Sequence, residues 1–113
     1  TDKSERTGRC NMRRAAKIDA NQPAIVEALR AAGCSVTVTN MVCNGFPDLV
    51  VGFGGPSGHV VLIEIKDPSQ APSARVLTPA QKSWHRMWLG PAHVVETVDQ
   101  ALSIVQHYRR GKA

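Results

Sequence analysis

Three ionisable residues interrupt the most apolar part of this 113-residue chain: Asp48, Glu64 and Lys66. Two short, β-branched runs flank the loop Gly54-Gly55-Pro56-Ser57-Gly58. This is the pattern of a β-hairpin with a five-residue turn, and each run reads as a buried strand. Burying a charge costs several kcal/mol unless it is partnered, so charges at the ends of buried strands require one another or a bound ion. Centring the hairpin on Pro56 sets Asp48 opposite Glu64. The two-residue strand period then puts Lys66 on the face of Glu64. Two apposed carboxylates either share a proton or clamp a cation, and hard ions such as Mg²⁺ prefer carboxylate oxygens. The alternative is a buried Glu64–Lys66 ion pair, with Asp48 doing no more than capping its strand.

Other elements must position these residues. Asp19 with Gln22 reads as a capping box ahead of a helix over residues 20–32, whose apolar stripe is Ile25, Val26, Leu29 and Ala32. Gln22 shares that stripe, whereas Glu27 points toward solvent. Residues 34–39 read as a half-buried strand with Val36 and Val38 inward, followed by a loop over 40–46 and by Pro47 at the start of the hairpin. Residues 67–77 form a polar loop containing Arg75. Thr78-Pro79-Ala80-Gln81 opens a second helix to about residue 89, with Ala80, Trp84, Met87 and Trp88 as its apolar stripe. Gln81 borders that stripe; it is either a group near the charged strand end or only the partner of the cap. A short strand over 93–96 precedes a last helix, capped by Thr97 and Gln100, with Val98, Ala101, Leu102, Val105 and Tyr108 inward. The order α-β-β-β-α-β-α predicts an α/β (α+β) fold, a mixed sheet flanked by helices.

The combination Pro47-Asp48, then Glu64-Ile65-Lys66 on a hairpin, with helices on either side, resembles the PD-(D/E)XK nucleases. More closely it is similar to their virus-type replication-repair branch and to small Holliday-junction resolvases. The resemblance covers residues 19–105 and implies a restriction-endonuclease-like αβββαβ core. It also implies a metal-dependent endodeoxyribonuclease that leaves a 5′-phosphate and a 3′-hydroxyl. On that reading Asp48, Glu64 and the Ile65 carbonyl hold Mg²⁺ or Mn²⁺, and Lys66 positions the attacking water. Gln81 matches a Thr-x-x-Gln segment of the same branch, which gives it a place near the site. The resolvases carry a metal-supporting Glu eleven residues before the glycine that ends the first helix. Here that position, counted from Gly33, is Gln22, a neutral amide that adds no charge. The resemblance also implies selectivity for branched DNA and a homodimer, the latter supported by one site per domain facing two strands; a viral (phage) and a cellular host both stay open.

Composition fits this expectation. The net charge of +5 favours a polyanionic partner, and residues 1–17 carry six cations against two acids. We expect residues 1–17 to form a basic arm, 18–108 the single domain and 109–113 a basic tail. Arg13, Arg14, Lys17, Arg75, Lys82 and Arg86 are the candidate phosphate contacts, with plain solubility as their other reading. No stretch approaches the roughly 20 apolar residues of a membrane span, and no signal peptide is evident, so we expect an intracellular (cytoplasmic) protein. Three cysteines without CxxC spacing predict reduced thiols and no zinc site. The glycines between 52 and 58 are followed by no helix and no Gly-Lys-Ser/Thr, which excludes a phosphate loop. Besides an endonuclease, the residues allow a non-catalytic nucleic-acid-binding module on the same fold, or a non-selective or flap nuclease. A restriction-type enzyme would need a further sequence-reading domain.

Overall fold

The computed structural model describes residues 18–111; Arg13, Arg14 and Lys17, and with them the basic arm, lie outside the described residues. The elements follow in the expected order. Helix α1 spans Gln22–Ala31, strand β1 Ser35–Val38, β2 Leu49–Phe53 and β3 His59–Ile65. Helix α2 spans Pro79–Met87, strand β4 Ala92–Val95 and helix α3 Val98–Arg110. The strands form one mixed sheet in the order β1-β2-β3-β4. β1/β2 and β2/β3 pair antiparallel, and β3/β4 pair parallel. A parallel pair needs a crossover connection, which α2 and its flanking loops supply. The architecture is mixed α/β, compatible with an αβββαβ-like core.

The hairpin register runs from Leu49 against Ile63 to Phe53 against His59, as expected for a turn centred on Pro56. Just before it the Asp48 N–H also bonds the Ile63 carbonyl (3.0 Å), off that register, and the Asp48 side chain reaches the end of β3 at the Ile65 N–H. One sheet face carries Val36, Leu49, Val51, Phe53, Val61, Ile63, Ile65 and Val95. It packs on Ile25 and Leu29 of α1 and on Ala101 and Val105 of α3 to form the core. Fully burying each Leu, Ile or Val of this layer contributes about 1.5–3 kcal/mol.

The second face departs from the expectation of strands buried on both sides. It carries Val60, 61% exposed, and Val94, 44% exposed, and is closed only around Leu62 and Glu64. Both helices that bury their length, α1 and α3, lie on the first face. Helix α2 touches residues 45–46 and the Glu64–Lys66 end of β3 instead. Its expected stripe is consequently not buried: Met87 is 61% and Trp88 42% exposed, and the helix stops at Met87. Val38, expected to face inward, is likewise exposed at the end of the edge strand β1.

The caps divide. Thr78 and Gln81 form the expected reciprocal box. At α3 the Thr97 side chain accepts from the Gln100 backbone, but the Gln100 side chain accepts from the Glu96 N–H rather than the Thr97 N–H. At α1 no side-chain box forms: Asn21 is the N-cap residue, and Gln22 is drawn elsewhere by a buried partner. The last helix runs through Arg110, and Arg109 donates to the Ala32 carbonyl at the end of α1 (2.8 Å). Residues 109–110 therefore belong to the folded domain and not to a tail. Cys43 is disulfide-bonded, a correction to the expectation of reduced thiols, while Cys34 is free and buried. Spacing along the chain does not reveal a bridge that depends on which segments packing brings within reach.

Gly45 fixes the loop before β2 to α2. It has φ +94°, and a Cβ there would lie 2.6 Å from the Ala80 carbonyl oxygen. Gly45→Ala would meet both a left-handed backbone and a backbone clash. We expect a loss of about 1–3 kcal/mol or more in stability, read by thermal melting, with α2 and Gln81 displaced from the site.

Candidate metal centre at the end of the sheet

The site is assembled where β2 begins and β3 ends. Asp48 sits just ahead of β2, and both of its carboxylate oxygens are occupied by donors. Oδ2 accepts from the Ile65 backbone N–H (2.7 Å) and Oδ1 from Asn40 Nδ2 (2.6 Å). Asn40 in turn exchanges two hydrogen bonds with Gln22 of α1 (2.8 and 3.2 Å), so a buried chain of amides runs from the helix to the carboxylate. Glu64 is 2% exposed. Its Oε2 accepts from Gln81 Nε2 (2.8 Å) and lies 3.7 Å from Lys66 Nζ. Its Oε1 is buried without a hydrogen-bond partner. Lys66 Nζ donates to Gln81 Oε1 (2.8 Å), which also accepts from the Thr78 N–H (2.9 Å). Gln81 is thus both the cap partner and the clamp that holds Glu64 and Lys66 together.

Pro47 shapes the site through what it lacks. The Ile63 carbonyl and the Ile65 N–H both point toward β2. Strand alternation turns the Ile65 carbonyl the same way. The Asp48 N–H is taken by the Ile63 carbonyl (3.0 Å), and Pro47, next along the chain, has no N–H to offer the Ile65 carbonyl. Sheet geometry therefore aims three oxygens, from Asp48, Glu64 and Ile65, at one strand end.

The electrostatics follow from burial. Desolvation, then the charge of Asp48, pushes the Glu64 carboxyl up to about 8, with Lys66 opposing. Desolvation also raises Asp48, against the Ile65 hydrogen bond. Without a cation the pair retains a proton at neutral pH, on Glu64. The donor set is hard oxygen only, and among the described residues no group of three or more His, Cys, Asp or Glu side chains gathers to hold a metal. Two carboxylates and a carbonyl fit an ion that keeps several of its waters, as Mg²⁺ does. Oε1 of Glu64 has no other partner than the proton it shares with Asp48, so on loss of that proton it becomes an acceptor such an ion would satisfy.

The other expected residues fall differently. Gln22 reaches Asp48 only through Asn40, its own amide being paired there. Glu27 faces solvent, as expected. Arg75 is engaged by Glu96 (3.4 Å) and by the Pro68 carbonyl (3.0 Å), so it braces its loop rather than offering a free cation. Lys82 and Arg86 are exposed on α2. His59 belongs to an aromatic cluster with Phe53 and Tyr108 at the far end of the hairpin.

Several participants were missed in the sequence. Asn40 lies in the expected loop; its only signal is its place next to Thr39, whose N–H bonds the Asp48 carbonyl (2.7 Å). Asp19, read as a cap, lies close enough for its charge to act on both Asp48 and Glu64. His85, which lies on α2 between Lys82 and Arg86, is half-buried. Its Nε2 is buried without a partner, and burial followed by the Lys66 charge holds its pKa low. Position i+4 from Gln81 on the same helix face was the available signal. Asn40→Leu should lower divalent-ion affinity by about 10–100-fold, the usual cost of losing the group that orients a ligand, as measured by isothermal titration calorimetry.

Comparison with family models, with curated proteins and with solved structures finds no match to this chain. Among the described residues no helix is long and apolar enough to cross a membrane.

Proposed function

We propose that this chain is a Mg²⁺- or Mn²⁺-dependent endonuclease of the PD-(D/E)XK type, akin to the virus-type replication-repair branch. It would hydrolyse phosphodiester bonds in branched or double-stranded DNA and act as a homodimer. The observation that carries this reading is the pair of apposed, desolvated carboxylates. They stand beside a lysine and a glutamine, at a site with a buried acceptor left over. A buried Glu64–Lys66 ion pair alone would not need a second buried carboxylate, Asp48, beside it.

Asp48, Glu64 and the Ile65 carbonyl would hold the ion. Bound there, it supplies a Lewis acid for the phosphodiester and lowers the pKa of a coordinated water. Lys66, held by Gln81, orients the attacking water and offsets charge on the pentavalent phosphorus. Water's oxygen bonds to phosphorus as the bond to the leaving oxygen breaks, giving a phosphate monoester and an alcohol. Lys82 and Arg86 on α2 suit phosphate contacts alongside. One chain carries one such site, so cutting both strands of a duplex or junction calls for two copies, most simply in C₂ symmetry.

The test is cleavage of an end-labelled four-way junction beside matched duplex and single-stranded DNA, with Mg²⁺, Mn²⁺ or EDTA, by wild type and Lys66→Ala. Metal-dependent cutting lost in the variant supports the enzyme, and preference for the junction supports its selectivity. Tight DNA binding without cleavage under either metal would leave a binding module and remove the nuclease.

A further inference from the structure

Helix α2 leads away from the site toward an aromatic surface that the chemistry above does not use. Trp84 and Trp88 stack with ring centroids 4.9 Å apart and planes 18° from parallel. Phe46 meets Trp84 edge-on at 5.4 Å, so the stack stands on a packed base. Gly90 closes in on the edge of the outer indole: a Cβ there would lie 3.0 Å from Trp88 Nε1. Glycine at 90 thus leaves room for the indole, and Trp88 remains 42% exposed, one face against Trp84 and the other unpaired by any aromatic contact among the described residues. The helix carries Lys82, His85 and Arg86 and no acidic residue. Trp88 lies seven residues beyond Gln81. At 1.5 Å per residue that is about 10 Å, or about three base steps of 3.4 Å.

We infer that the outer face of Trp88 is a stacking platform for an unpaired nucleobase, so that the site takes DNA with a single-stranded segment next to the scissile phosphate. The scissile phosphate rests on the nuclease reading; stacking on Trp88 does not. A flat indole beside cations suits an unpaired base on a polyanionic strand, because every base offers a π-face while its backbone is drawn by charge. A base inside a duplex is already stacked on both faces and gains nothing there. A second copy of this chain, seated on the exposed Met87, Trp88 and Leu89, would find cations on the same helix with no acids beside them.

The two tryptophans of this pair are the only ones in the chain, so intrinsic fluorescence reports on this surface alone. Full-length protein would be titrated in EDTA with a short oligothymidylate and with a blunt duplex of equal length. We expect strong quenching and blue-shifted residual emission with oligothymidylate, and little change with duplex. Trp88→Ala should weaken single-strand affinity about tenfold while sparing duplex affinity, and Trp88→Phe should recover most of the loss, since a stacking role survives the change of ring. Equal quenching by both ligands, or undiminished single-strand affinity in Trp88→Ala, would overturn the platform. A dimer that becomes monomeric in Trp88→Ala at unchanged DNA affinity would overturn it in favour of a second copy. Quenching without cleavage under any metal keeps the platform and removes the nuclease; cleavage with unchanged Trp88→Ala selectivity does the reverse.

Discussion

Asp48→Asn is expected to abolish detectable divalent-ion binding and to reduce cleavage by about three orders of magnitude, the scale of several kcal/mol of lost charge stabilisation. The change is nearly isosteric, which makes the geometry informative. Both oxygens of Asp48 accept from donors, the Ile65 N–H at 2.7 Å and Asn40 Nδ2 at 2.6 Å. An asparagine must turn its own NH₂ toward one of them and leave a donor facing a donor. The cost of that unmade hydrogen bond is about 1–3 kcal/mol in stability. Calorimetry with Mg²⁺ and single-turnover cleavage, read beside a thermal melt, separate the two effects. A folded Asp48→Asn protein that still cuts at the wild-type rate would remove Asp48 from the site.

The second large effect is on pH. Glu64 titrates at about 8 in the metal-free fold against an ordinary 4.5, so a cation must displace its proton. At low Mg²⁺ the cleavage rate should climb about tenfold per pH unit and level off once the pH passes the raised Glu64 pKa. Raising Mg²⁺ should move the levelling point downward, because ion and proton compete for one carboxylate. Stability of the metal-free protein should run the other way. Between 4.5 and about 8 the folded Glu64 keeps a proton that the unfolded chain has released. Folding stability therefore falls with rising pH through that window, by on the order of a few kcal/mol, and Asp48 adds in the same direction. Melting in EDTA across this range should show the slope, Glu64→Gln should flatten it, and Mg²⁺ should flatten it from the alkaline end downward, because an ion-bound Glu64 is ionised in both states. A pH-independent melting temperature would mean that Glu64 is already ionised and compensated without a cation.

How far these residues could be read from the chain depends on the distance over which each is specified. The hairpin brings Asp48 beside Glu64 through a local turn and a two-residue period, and Thr78 with Gln81 closes a box within one helical turn. Gln22 shows the limit of such rules. Its spacing from Asp19 suits a capping box, yet its side chain bonds Asn40, eighteen residues on, because a buried amide gains more from a buried partner than from a cap that water can replace. Trp88 shows the same limit for apolar patterning. Helical spacing marks a stripe but not whether anything packs against it.

By itself the sequence determined the order of elements, the register of the central hairpin and the gathering of Asp48, Glu64 and Lys66 at its open end, since each follows from short-range backbone geometry and from alternation along a strand. Only the tertiary structure decided which amide supports Asp48, which groups approach Lys66, which sheet face stays open and which tryptophan remains exposed. Those depend on where segments far apart in the chain come to rest against one another, and no local period encodes that packing.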